Sequence, residues 1–151
     1  MIRNHLRPSF QRLHFTACVG LLTVVSWALL SPNPFAAVRY TPLSALRTVS
    51  DVLLHCSAYG LLSFVCYLSV ANSRNAGAKR ILLGLLIAHG ISSELLQALV
   101  PNRNCDPLDG MANMLGIAIG TIAVTWFQPA IRRETIVTYP TQSADSTSVE
   151  V

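Results

Sequence analysis

The sequence predicts an all-α integral membrane protein, a bundle of four transmembrane helices at about 13–30, 52–71, 81–100 and 108–127. Three observations lead there. Charged residues make up only 12% of the chain, about half the roughly 25% usual in a soluble domain. Apolar residues, 52% of the total, cluster in four runs. Each run is close to the roughly 20 residues that cross a bilayer as a helix, the form in which a span satisfies its own backbone hydrogen bonds. Finally, Lys and Arg gather on one side of those runs.

The first run, LHFTACVGLLTVVSWALL, follows Arg3, Arg7 and Arg12. A basic start resembles a signal peptide, but the apolar core is longer than the usual one and no A-x-A site follows, so a retained span is expected. The connection after it, SPNPFAAVRYTPLSALRTVS, holds three prolines and is expected along the outer surface. The second run is VLLHCSAYGLLSFVCYLSVA, the third ILLGLLIAHGISSELLQALV and the fourth LDGMANMLGIAIGTIAVTWF. Trp27 and Trp126 stand near span ends, as interfacial anchors do. The resulting organisation is an N-terminus over 1–12, a membrane domain over 13–128 and a Ser/Thr-rich polar tail over 129–151, read as disordered.

Charge placement sets the expected orientation. Arg3, Arg7, Arg12, Arg74, Lys79, Arg80, Arg132 and Arg133 fall on one side, against Arg39, Arg47 and Arg103 on the other. The positive side faces the cytoplasm, so the protein is expected as a multi-pass protein of the cell membrane with both termini cytoplasmic. The net charge of +4 is explained by these loops, and without a basic stripe interleaved with aromatics a nucleic-acid partner is not expected. Four cysteines, Cys18, Cys56, Cys66 and Cys105, show no CxxC spacing, which speaks against a disulfide framework or a thiolate zinc site.

The chemistry-bearing residues converge on one leaflet. The start of span two carries Asp51, His55 and Tyr59, spaced by four and so on one helix face. The end of span three carries Glu94 and Gln97, spaced by three. The loop holds Arg103, and the start of span four carries Asp106, Asp109 and Asn113. With Gly116 and Gly120 these last residues fall within an arc of about 80° at 100° per residue. Ala112, Gly116 and Gly120 also have the small-xxx-small spacing of closely packed membrane helices.

Plainer readings exist for several of them. Asp106 before Pro107 suits an N-cap, with Asp109 at the third helical position, and the segment Thr48-Val-Ser-Asp51 has the same form. Arg103 has the reading of a solvated loop cation. Capping does not account for Glu94, deep in an apolar run. An ionised acid at membrane depth costs about 2.5–3.5 kcal/mol at the helix centre and needs a partner. His55 and Arg103 are the expected cations. His89, five residues from Glu94, lies on a different face and is expected to join helices, and His14 to sit at the interface.

Taken in order, D-x-x-x-H at Asp51–His55 with Tyr59, E-x-x-Q at Glu94–Gln97, Arg103, and D-x-x-D-x-x-A-N-x-x-G at Asp106–Gly116 resemble the VanZ-like membrane protein family over about 51–120. That family often places a basic and an aromatic residue around its His, where this chain has Val52 and Cys56. The resemblance implies a small multi-helix membrane protein of the cell envelope. Its founding member is associated with resistance to the glycopeptide teicoplanin, and membership constrains architecture more than activity.

Three functional readings follow. In the first, the polar site binds a lipid headgroup, a cell-wall precursor or a glycopeptide-type ligand, through Asp51, Tyr59, Gln97, Arg103, Asp106, Asp109 and Asn113. In the second, the protein is an enzyme on a lipid-linked envelope substrate. Glu94 is then the general base, His55 its partner and Arg103 the anion holder. In the third, the polar residues clamp spans three and four without a ligand. A transport pathway finds little room among four spans. No cofactor and no metal site is expected; a divalent cation on Asp106 and Asp109 is the one metal reading the carboxylates offer.

Overall fold

A computed structural model describes residues 8–71, 73 and 75–137, with side chains described over 12–127 apart from 72 and 74. Helix α1 spans Pro8–Leu30, α2 Asp51–Ala71, α3 Ala76–Gln97 and α4 Pro107–Val137. Two 3-10 turns, Pro34–Ala36 and Pro42–Thr48, each opened by a proline, carry the chain from α1 to α2. Among the described residues there is no strand.

Sequence explains where the helices begin and end. At α2, the Ser50 hydroxyl accepts from the Leu53 amide at 3.4 Å, so Ser50 is the cap and Asp51 the first helical residue. At α3, Asn75 Oδ1 accepts from the Ala78 amide at 3.2 Å. This cap starts the helix five residues before the apolar run, taking in Lys79 and Arg80. The expected end at 100 is corrected to Gln97. Pro101 cannot extend a helix, and Asn102, at φ 61°, turns the chain through the left-handed region. At α4, Asp106 Oδ1 accepts from the Leu108 amide at 2.9 Å with Pro107 at the first helical position. The change to a polar tail was expected at 129, but α4 continues to Val137 because Ala130–Glu134 are compatible with helix. Residues 138–151 of that tail, and Arg3 and Arg7, lie outside the described residues.

Among the described residues, three helical stretches are long and apolar enough to cross a membrane: Arg12–Leu30, Asp51–Ala71 and Pro107–Phe127. Helix α3 does not belong to that set. Its 22 residues reach about 33 Å at 1.5 Å per residue, but Lys79, Arg80, His89, Glu94 and Gln97 dilute its apolar character.

The surface is largely apolar, and the interior holds a set of polar side chains beside its apolar core, unlike a water-soluble domain. Leu13, Phe15, Ile81, Leu85, Leu95, Met111 and Trp126 are all more than 60% exposed, while His55, Ser63, Ser93, Glu94, Gln97, Asp109 and Asn113 are buried. Such a surface suits a lipid environment, and the three apolar stretches are compatible with a multi-pass membrane protein.

Helices α2 and α4 form the tightest pair. A Cβ at Gly120 would overlap Ser63 and the Gly60 carbonyl, and one at Gly116 would overlap the Cys56 carbonyl. Only glycine permits that approach, and the small-residue stripe of α4 is spent on it. Tyr59, Leu62 and Ile117 fill the interior beside this seam, with Val25 and Leu29 of α1 and Leu86 of α3 closing it.

Candidate functional site

The start of α2, the end of α3 and the start of α4 meet at one end of the bundle, where their polar residues form a buried cluster. His55 (3% exposed), Glu94 (5%), Asp109 (8%) and Asn113 (0%) come from three different helices. Glu94 Oε1 lies 3.2 Å from His55 Nδ1 and accepts from Asn113 Nδ2 at 3.2 Å. Asn113 Nδ2 also donates to the Gly90 carbonyl at 3.3 Å.

These contacts set the orientation of the Asn113 amide and the tautomer of His55. The Gly90 carbonyl facing Asn113 Nδ2 can only accept, so the amide cannot be flipped. Its Oδ1 therefore faces His55 Nδ1 at 3.0 Å, and the ring nitrogen must donate. His55 thus carries its proton on Nδ1, shared between Asn113 and Glu94. On the other side of the ring, Nε2 stands 3.8 Å from Asp109 Oδ2, an electrostatic pairing rather than a hydrogen bond. The imidazole thus lies between two carboxylates, close to Glu94 on one side and only electrostatically paired with Asp109 on the other.

The accounting leaves two atoms over. Glu94 Oε2 and Gln97 Nε2 are buried with no hydrogen-bond partner. The Asp106 amide faces the Glu94 carboxyl but makes no hydrogen bond to Oε2. A buried unpaired polar atom costs about 1–3 kcal/mol, and more when charged, so each marks a place where a further group fits the chemistry.

Not every residue expected in the site is in this cluster. Tyr59 is fully buried one turn deeper and belongs to a second network. Ser93 Oγ donates to the Gly90 carbonyl at 2.9 Å, so the Tyr59 hydroxyl donates to Ser93 at 2.8 Å. His89 Nδ1 then faces the Tyr59 oxygen at 2.8 Å, and its Nε2 lies 2.9 Å from Ser26 Oγ on α1. His89 therefore joins α1, α2 and α3. The two networks meet at the Gly90 carbonyl, which accepts from both Asn113 and Ser93. A carbonyl carries no proton to pass on, so the networks are mechanically joined but not a proton wire.

Arg103, expected beside Glu94, is directed elsewhere. Its Nε donates to the Ser31 carbonyl at 3.3 Å and Nη2 to the Ala28 carbonyl at 3.4 Å. These carbonyls lie at the C-terminal end of α1, where a cation satisfies orphan acceptors and the negative end of the helix dipole. Asp51 is exposed in the first turn of α2, and Asp106 is exposed and spent in part on its cap. Asp109 pairs with His55 instead of completing a capping box.

Sequence reasoning missed Ser93, Gly90 and Ser26. Ser93 stands four residues after His89, which places both on one face of α3; that spacing was the available signal. Ser26 is one hydroxyl in an apolar span and announces nothing by itself. Among the described residues, no group of three or more His, Cys, Asp or Glu side chains is arranged to hold a metal ion.

Comparison with protein-family models, with curated proteins and with solved structures finds no match to this chain.

Proposed function

We propose that this chain is a VanZ-like membrane protein of four spans, with α3 as the least apolar of them. In this reading both termini are cytoplasmic and the Glu94 end of the bundle lies at the extracytoplasmic membrane face. There it binds the polar headgroup of an envelope lipid, a lipid-linked cell-wall precursor or a glycopeptide-type ligand. The observation that carries the reading is the unspent Glu94 Oε2, buried beside His55 at the end where Asp51 and Asp106 are exposed. A carboxylate held in place by Asn113 and His55, with one oxygen left over, is preorganised to accept from a ligand.

One observation favours a second reading, in which the cluster is a lock between helices. Both Asn113 amide hydrogens and its carbonyl oxygen are consumed by protein partners on α2 and α3. Acid–base turnover by Glu94 and His55 is the third reading; it shares the site and requires the cluster to open to a substrate.

The substitution Glu94→Gln separates these. Wild type and variant are melted in nanodiscs of phosphatidylcholine alone and in nanodiscs of the host's polar lipids. The binding reading predicts a higher Tm for wild type in host lipids and no such difference for the variant. Equal Tm for wild type in both discs, together with failure of the variant to accumulate, would leave the lock reading in its place.

A further inference from the structure

The charges at this end specify what kind of ligand the site takes. Glu94 and Asp109 flank His55, and the further charged groups acting on Asp109 are Asp106, Asp51 and Arg103. Four carboxylates therefore face one imidazole and one guanidinium, and that guanidinium is already committed to the Ser31 and Ala28 carbonyls. An anionic group entering here meets like charge, and among the described charged groups acting on Asp109 no cation is uncommitted. A cation is drawn in.

Two further observations narrow the cation. The innermost free atom is Glu94 Oε2, an acceptor on a side chain more than nine-tenths buried, so the ligand must present a hydrogen. Gly110 on α4 brings no side chain to this place, where a Cβ would lie 3.6 Å from Glu94 Cγ. Quaternary ammonium groups are held instead by aromatic faces. Here Tyr59 is fully buried and hydrogen-bonded, and the Tyr40 ring already carries the Arg39 guanidinium at 4.5 Å. The carboxylates are not grouped for a metal ion.

We infer that the Glu94 end of the bundle binds a primary ammonium group, with Glu94 Oε2 as the inner acceptor and Asp51 and Asp106 as an anionic rim. The inference rests on reading this end as a ligand site and names the chemistry it recognises. A primary ammonium is offered both by an ethanolamine lipid headgroup and by a free amine.

The test measures Tm and binding for the full chain. Phosphatidylcholine nanodiscs are compared with discs containing phosphatidylethanolamine or phosphatidylglycerol, and with free ethanolamine added to the phosphatidylcholine discs. Stabilisation by phosphatidylethanolamine alone identifies the lipid source; stabilisation by free ethanolamine as well identifies the group itself. In either case Glu94→Gln should weaken binding by about tenfold or more, the worth of a charged hydrogen bond. Asp51→Asn alters only an exposed residue and should weaken it severalfold, more at low salt than at high. Stabilisation by phosphatidylglycerol but not by either amine would overturn the ammonium assignment and keep the ligand site. No response to any of the three would overturn both. If Glu94→Gln does not fold, an unchanged affinity in Asp51→Asn overturns the assignment.

Discussion

Replacing Gly116 by alanine tests the packing that positions every polar residue described above. A Cβ at that position would overlap the Cys56 carbonyl oxygen and stand 2.9 Å from Gly60 N and 3.1 Å from the Cys56 carbonyl carbon. All three are backbone atoms of α2, so no rotamer change relieves the contact. Reaching ordinary carbon contact, near 3.5 Å, means moving α4 away from α2 by more than about 0.5 Å. A gap of that size forfeits about a quarter or more of each van der Waals well along the seam. It also lengthens the Ser63 bond to the Gly116 carbonyl, already 3.4 Å. Overpacking of this kind costs about 1–3 kcal/mol, against about 1 kcal/mol gained from the higher helix propensity of alanine. The net loss is up to about 2 kcal/mol. Gly84→Ala on α3 is the matched comparison, because nothing lies within 4 Å of its Cβ position, and it should gain stability. Equilibrium unfolding of both variants in mixed micelles, followed by circular dichroism, gives the comparison. A Gly116→Ala protein as stable as Gly84→Ala would refute the close α2–α4 approach.

Other consequences follow from the same geometry. Asn113→Leu takes one donor each from Glu94 and the Gly90 carbonyl and the acceptor from His55 Nδ1, and should cost about 1–3 kcal/mol; an unaltered unfolding curve would contradict the network. Arg103→Ala removes two long hydrogen bonds to the end of α1 and should cost about 1 kcal/mol, with proteolysis in the segment after Leu30 increased and the lipid response retained. Loss of that response instead would place Arg103 in the site. Cys105 is exposed in the loop between α3 and α4, so an impermeant thiol reagent should label it in intact cells; labelling only after lysis would reverse the proposed orientation. Tyr59→Phe removes the donor to Ser93 and the oxygen facing His89 and should lower stability by about 1–2 kcal/mol without changing lipid binding, which a change in affinity would refute.

Much of this arrangement was legible in the sequence because helical spacing is fixed. Residues four apart share a face, and His55 with Tyr59, and Asp109 with Asn113, Gly116 and Gly120, are indeed turned inward together. The same rule kept His89 apart from Glu94. What spacing does not reveal is depth. Tyr59 shares the His55 face but sits one turn, about 5.4 Å, further along, so it meets His89 and Ser93 instead of Glu94. Partners set by tertiary position were equally hidden: Arg103 goes to α1 because of where α1 ends, which no local pattern in the α3–α4 loop encodes. The early start of α3 was missed because the apolar run begins at Ile81, while the cap that starts the helix is Asn75.

The central claim is that Glu94 keeps an acceptor free for a ligand while His55 and Asn113 hold its other oxygen. Difference infrared spectroscopy reads that carboxyl directly. Spectra of wild type in phosphatidylcholine nanodiscs are subtracted from spectra in nanodiscs of host polar lipids, and the subtraction is repeated for Glu94→Gln. The account predicts a lipid-dependent change in a carboxyl band of wild type that vanishes in the variant. An unchanged carboxyl region in wild type, or the same change in both proteins, would contradict it.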